Sequence, residues 1–128
     1  MSDINSAQNR VVWCDIPVAD LDRAAAFYRT VLAIQVDKME FDGVAFCILE
    51  HEKGNGACLI QNAAEVSSAS GILVYMNVAQ RIRDAVAHVE KLGGKVVQPV
   101  HPIGPHGFRA IVLDSEGNRL ALHSTVDA

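Results

Sequence analysis

Five histidines (His51, His88, His101, His106, His123) and three cysteines (Cys14, Cys47, Cys58) are the side chains of this chain best suited to proton transfer or to holding a metal. Imidazole changes charge near neutral pH and binds metals through either ring nitrogen, and a thiolate is both nucleophile and metal ligand. Their spacing forms no compact ligand motif, and no two cysteines make a CxxC. An odd number of unpaired cysteines fits reduced thiols in a cytoplasmic protein. His88 falls in a helical stretch, and His51 and His101 fall near strand ends; without strong companions, these three read as structural or solvent-facing. His106 lies in Pro102-Ile103-Gly104-Pro105-His106-Gly107-Phe108, where it either orders a turn or closes the rim of a site. His123 ends a strand-like run.

The elements that must position these residues appear as a duplication. Val11–Val18 reads as a strand, and a helix follows with Leu21, Ala24, Ala25, Tyr28, Val31 and Leu32 on one face and Asp20 as its N-cap. Ile72–Val78 reads as a second such strand. Its helix carries Ile82, Val86, Val89 and Leu92 on one face and stops at Gly93-Gly94. A constant offset relates the halves: Val18 matches Val78, Leu32 matches Leu92, and Val36 matches Val96. Further strands are expected at 44–50, 57–61, 108–113 and 119–124, with Lys53-Gly54-Asn55 and Glu116-Gly117-Asn118 as turns. Ala63–Ser70 is the linker. Each half is βαβββ, giving an α+β domain over residues 10–125 with repeats at about 10–62 and 71–125, after a polar tail at 1–9. One sheet with one helix buries only one face well, so two units pair, helices outside, into a curled mixed-sheet cup.

Composition narrows the function. The 128 residues are half hydrophobic and a fifth charged, with a net charge of −4. Such a chain presents no basic field to nucleic acid or anionic lipid. No apolar run nears the roughly 20 residues that cross a bilayer, and the first nine residues hold no hydrophobic signal core.

The run Val12-Trp13-Cys14-Asp15-Ile16-Pro17-Val18-Ala19-Asp20-Leu21, followed by Ala24, Phe27-Tyr28 and Val31-Leu32-Ala33, resembles the opening of vicinal-oxygen-chelate proteins: the glyoxalase, bleomycin-resistance and dioxygenase superfamily. Alanine stands at 33, where that family usually has glycine. Leu113-Asp114-Ser115-Glu116-Gly117-Asn118 resembles its closing hairpin, with serine for the usual proline. The resemblance spans about Arg10 to Ser124. It is greatest to a glyoxalase-like subgroup marked by the first motif, by Pro102–Phe108 and by Leu122-His123-Ser124, whose activities are mostly unassigned.

Metal-dependent members of that family carry one ligand on the first and last strand of each unit. Counting from the motifs puts those positions at Trp13, Cys58, Leu73 and Ala121. Three of these cannot ligate and a lone cysteine does not hold an ion, so no metal or other cofactor is expected. A substitute site from Asp15, Cys58, His106 and His123 is the less favoured alternative.

Side chains alternate along strands, so residues sharing parity with those four positions face the cup. They are Trp13, Asp15 and Pro17; Cys58 and Ile60; Leu73, Tyr75 and Asn77; Ala121 and His123. Val12, Cys14 and Ile16 belong beneath a helix. Phe108 is expected as an aromatic wall and His106 at the rim. Asp15 and His123 form the sharpest pair, because a carboxylate beside imidazole orients it and raises its basicity. The plainer readings are a structural Asp15–His123 hydrogen bond, Trp13 as packing, and Tyr75 with a buried ring.

The resemblance implies a glyoxalase-like protein that binds a small organic molecule without metal, and leaves open whether it is an enzyme. Against this stand a bleomycin-resistance-like drug-binding protein, whose cleft implies a homodimer, and, third, a metal-dependent lyase of the lactoylglutathione type or a dioxygenase.

Overall fold

The structure, a computed structural model, describes Val11 and residues 13–128. The tail at 1–9 and the placement of Val12 lie outside the described residues.

The two units are β1 (Trp13–Val18), α1 (Leu21–Val31), β2 (Val36–Phe41), β3 (Val44–Leu49), β4 (Gly56–Gln61) and β5 (Val74–Asn77), α2 (Ile82–Val89), β6 (Lys95–Pro102), β7 (Phe108–Leu113), β8 (Arg119–Ser124). They form two four-stranded sheets, ordered β1-β4-β3-β2 and β5-β8-β7-β6. The expected cup is therefore two sheets that do not close on one another. In each unit the first strand runs parallel to the last, and the other pairs are antiparallel. α1 packs on β2, β3 and β4, α2 packs on β6, β7 and β8, and the helices touch each other.

One face of β1, β3, β4, β5, β7 and β8 feeds the core beneath the helices, whereas β2 adds only Val36. Ile16, Val18, Cys47, Leu49, Ala57 and Leu59 from the first sheet join Met76, Val78, Ala110, Val112, Leu120 and Leu122 from the second in one core with both helices. Cys14 packs against that core, as its parity requires. Trp13, Asp15 and Pro17 alternate with these residues and are more exposed, so the other face of each sheet carries no helix.

Several boundaries differ from the sequence reading. β5 is shorter than 72–78, so Leu73 precedes the strand. The linker contains a 3-10 turn at Ala63–Glu65. The last turn of the second helix tightens to 3-10 geometry at Glu90–Leu92, ending at Gly93 with φ 92°. Asp20 caps α1 as expected, accepting from the Arg23 N–H at 3.0 Å.

The repeat partner of Gly93 is Ala33, which adopts the same left-handed backbone, φ 56°. A Cβ crowds the carbonyl there at a cost of about 1–2 kcal/mol. Glycine removes that strain but adds about 0.5–1 kcal/mol of unfolded-state entropy. Ala33→Gly is therefore expected to raise stability modestly, read as a higher urea midpoint at unchanged m-value.

The hairpin between β7 and β8 clamps the first unit. The buried Asp114 carboxylate accepts from the equally buried Tyr28 hydroxyl at 2.6 Å, from the N–H groups of Glu116 and Asn118, and from the Asn118 side-chain amide. The same amide donates to the Pro17 carbonyl at 2.6 Å. Glu116 accepts from the N–H groups of Ala19 and Asp20 and pairs with Arg23 through both oxygens. The β1–α1 junction is thereby held against the second unit, fixing where β1 ends.

Burial works to raise the Glu116 carboxyl, but Arg23, Ser115 and the Asp20 N–H overcome it and hold it at about 2, against an ordinary 4.5. A depressed carboxyl stabilises the fold above its unfolded value and loses that contribution as pH falls through its folded value. Stability should therefore decline from pH 4.5 towards 2. Glu116→Gln should be less stable at pH 7 and show a shallower decline across that window in urea titrations.

Candidate functional site

On the helix-free face of the first sheet, the parallel register sets Asp15 opposite Cys58. The Cys58 thiol donates to Asp15 Oδ1 at 3.2 Å and accepts from the Trp13 indole N–H at 3.4 Å. Burial pushes the thiol above its ordinary range; the Trp13 N–H opposes that shift and Asp15 adds to it. Cys58 is thus a protonated, hydrogen-bonded thiol rather than a thiolate. Trp13 also meets the His51 ring edge-on at 5.4 Å, so both expected readings of Trp13 bear on one side chain: it packs, and 39 % of it remains exposed.

On the second sheet, side chains from four strands join in a band. β8 supplies His123, β5 Tyr75, β7 Arg109 and β6 His101. The Tyr75 and His123 rings meet edge-on at 6.3 Å. The Arg109 guanidinium donates to the Tyr75 hydroxyl through Nη1 and to His101 Nε2 through Nε, the latter at 3.0 Å. His101 Nδ1 lies 2.8 Å from the Pro99 carbonyl, which only accepts; His101 Nδ1 therefore carries the proton and Nε2 the lone pair. His123 Nε2 lies 2.8 Å from the His106 carbonyl, so by the same logic it donates, leaving Nδ1 as the basic nitrogen of the neutral ring. Beneath the band lie Ile111 and the fully buried Ala121.

The structure brings together Trp13, Asp15 and Cys58 in one cluster, and Tyr75, His123 and the His106 backbone in another. It does not bring Asp15 to His123: each has its own partner, and the expected hydrogen-bonded pair is not formed. Phe108 packs against the core with Ala110 and Val112, on the helix side, so it is not the expected aromatic wall. Ala121 is a floor with no exposed surface, and Leu73 is only partly buried before β5. Asn77 shares the face but uses its side-chain oxygen to accept from the Ala79 N–H at 2.8 Å, an Asx turn ending the strand. The sequence does not single out Arg109, and it reads His101 as structural or solvent-facing. The signal was the apolar alternation Ala110, Val112, which assigns Arg109 to the opposite face.

A family profile described as Glyoxalase/Bleomycin resistance protein/Dioxygenase superfamily matches residues 10–122. The chain belongs to that superfamily. Solved structures with the same fold include a glyoxalase/bleomycin resistance protein from Albidiferax ferrireducens T118, with TM-score 0.71 and 14 % identity over 91 % of this chain and 98 % of that one. A hypothetical protein, SA1046, from S. aureus has TM-score 0.69 and 18 % identity over 92 % and 95 %. The genomically encoded fosfomycin resistance protein FosX from Listeria monocytogenes has TM-score 0.67 and 13 % identity over 91 % and 93 %. No curated protein matches in sequence.

The metal of other superfamily members does not fit the strand positions of this one. Trp13, Leu73 and Ala121 offer no suitable donor, and the one thiol is protonated and engaged with Asp15. The substitute set does not form either: among the described residues no three His, Cys, Asp or Glu side chains are grouped to hold an ion. No helix among the described residues is long and apolar enough to cross a membrane.

Proposed function

We propose that this superfamily member binds a small organic molecule on the helix-free face of its second sheet, without a metal. The observation that carries the reading is the Tyr75–His123–Arg109–His101 band, drawn from four strands and lying over an apolar floor. Convergent polar groups above apolar side chains are the usual make-up of a ligand site. His123 is held through Nε2, so its Nδ1 is the atom for any modest acid–base step. Asp15, bonded to Cys58, has no part in that step within one chain.

A homodimer belongs to this reading. Phe41 is 76 % exposed and Val44 59 %, with Met39 also open, a patch of large apolar residues at the β2–β3 edge of the first sheet that a second copy would cover. A second reading, sequestration of a drug as in bleomycin-resistance proteins, uses the same face and differs in outcome: resistance without product.

The test is elemental analysis of protein purified without chelator and incubated with zinc, nickel, manganese or iron(II), followed by a metabolite and antibiotic thermal-shift screen. The expected result is negligible metal, with a hit that raises Tm in wild type and not in His123→Ala. A ligand at about 100 times its Kd adds about 2.7 kcal/mol, a shift easily read. Near-stoichiometric metal that disappears in His123→Ala or Asp15→Ala would overturn the reading in favour of a lyase or dioxygenase.

A further inference from the structure

The strands of the second sheet read Val-Tyr-Met-Asn, Lys-Val-Val-Gln-Pro-Val-His-Pro, Phe-Arg-Ala-Ile-Val-Leu and Arg-Leu-Ala-Leu-His-Ser. They contain Lys95, Arg109 and Arg119 and not one aspartate or glutamate. The chain as a whole is acidic, with net charge −4. The first sheet shows the opposite bias: Asp15, Asp37 and Glu40 against the single Lys38. Positive charge is thus concentrated on the sheet that carries the band.

Both arginines share its helix-free face. Arg109 alternates with the core residues Ala110 and Val112, and Arg119 with Leu120 and Leu122. Neither guanidinium has a carboxylate partner among the described residues. Among the described residues, Arg109 bonds only the Tyr75 hydroxyl and the lone pair of His101. Those two contacts use two of its five N–H groups and fix the plane of the fork, leaving the others free to donate. Arg119 is less satisfied still: its Nε is buried and has no hydrogen-bond partner among the described residues. Between the two on the face lie Ile111 and Ala121. A half-buried cation elsewhere in this chain is given an acid, as Arg81 is given Asp84. Here it is given neutral groups that orient it, and a buried charged donor is left open.

We propose that the ligand of this face is a small organic acid: its oxyanion sits on the oriented Arg109 fork, its apolar body lies against the half-exposed Tyr75 ring, and Arg119 supplies the second positive charge. The inference rests on the second sheet being the binding face. A planar fork matches a carboxylate or a phosphonate bidentately, so the shared chemistry is the oxyanion.

The test uses three probes that share a phenyl body, benzoate, phenylphosphonate and neutral benzamide, titrated into the full-length protein while the arginine Nε–H and backbone resonances are followed by NMR. At least one anion is expected to shift the Arg109 and Arg119 Nε–H signals saturably, at least tenfold more tightly than benzamide, and more weakly as salt rises. Which anion binds tighter identifies the oxyanion. Arg109→Gln, and more mildly Arg109→Lys, should lose that preference, whereas Arg83→Gln, which removes the same charge from α2, should keep it; unfolding midpoints confirm that each variant is folded. Benzamide binding this face as well as the anions overturns the organic-acid inference and leaves small-molecule binding standing. Anions shifting only exposed lysines and arginines, with no saturation at Arg109, overturns it too, and a silent benzamide arm in that case counts against the binding face itself.

Discussion

Asp114→Ala should destabilise this protein by about 3–5 kcal/mol, because it removes the shared acceptor of a buried hydrogen-bond network. The carboxylate is 1 % exposed and accepts four hydrogen bonds, from the Tyr28 hydroxyl, two backbone N–H groups and the Asn118 amide. Alanine orphans all four donors at once, and each buried donor left without an acceptor costs about 1–3 kcal/mol before relaxation. Asp114→Asn should cost less. Its remaining oxygen still serves the backbone N–H groups, while its new N–H₂ meets the Asn118 amide donor and must turn toward the Tyr28 oxygen. Tyr28→Phe removes one donor and leaves the carboxylate otherwise paired, so about 1–2 kcal/mol is expected. Urea midpoints at constant m-value should follow that order. An Asp114→Ala loss below 1 kcal/mol would mean that the hairpin does not clamp the two units.

That hairpin shows what the sequence makes legible and what it withholds. Its five residues stand out as a family motif, but their role depends on contacts with Pro17, Ala19, Asp20, Arg23 and Tyr28, about 90 positions away, and spacing along a chain does not report such pairings. The repeat was legible because it is local: a cap at Asp20, a left-handed stop at Gly93, and the same phase in both halves. Strand parity is legible too, and it turns Trp13, Asp15, Cys58, Tyr75 and His123 alike toward one cup. Parity assigns a face and not a sheet neighbour, so Asp15 and His123 looked like partners although they lie on separate sheets with separate bonds. On β7 a one-residue uncertainty in where the strand begins exchanges Phe108 for Arg109. That exchange hid the cation at the centre of the band and put an aromatic residue in its place. Register sets Arg109 beside both His101 and His123 and puts Asn77 opposite His123, so Tyr75, which pairs with Ala121, joins the band only through its side chain, and register alone does not reveal it.

The turn that meets His123 carries the second large expectation. Gly107 has φ 101° and ψ −138°, a combination essentially confined to glycine. A Cβ there would lie 2.5 Å from the Ser124 carbonyl oxygen and 2.9 Å from the Thr125 Cα, backbone atoms that cannot rotate aside. Gly107→Ala therefore adds dihedral strain of about 1–3 kcal/mol to an overpacking cost of similar size. The structure can relieve both only by moving the turn away from the end of β8. The His106 carbonyl belongs to the peptide joined to Gly107, so that movement takes away the acceptor of His123 Nε2. The expected result is a loss of about 3 kcal/mol in stability together with loss of the Nε2-protonated signature of His123 in nitrogen-detected NMR. Gly104→Ala is the matched control. Gly104 also has positive φ, 65°, but nothing lies within 4 Å of its Cβ position, so only the left-handed strain of about 1–2 kcal/mol applies. It should leave the His123 signature intact. If both variants preserve that signature, His123 is held by its own strand and not by the turn, and ligand access at this rim does not depend on residues 104–107.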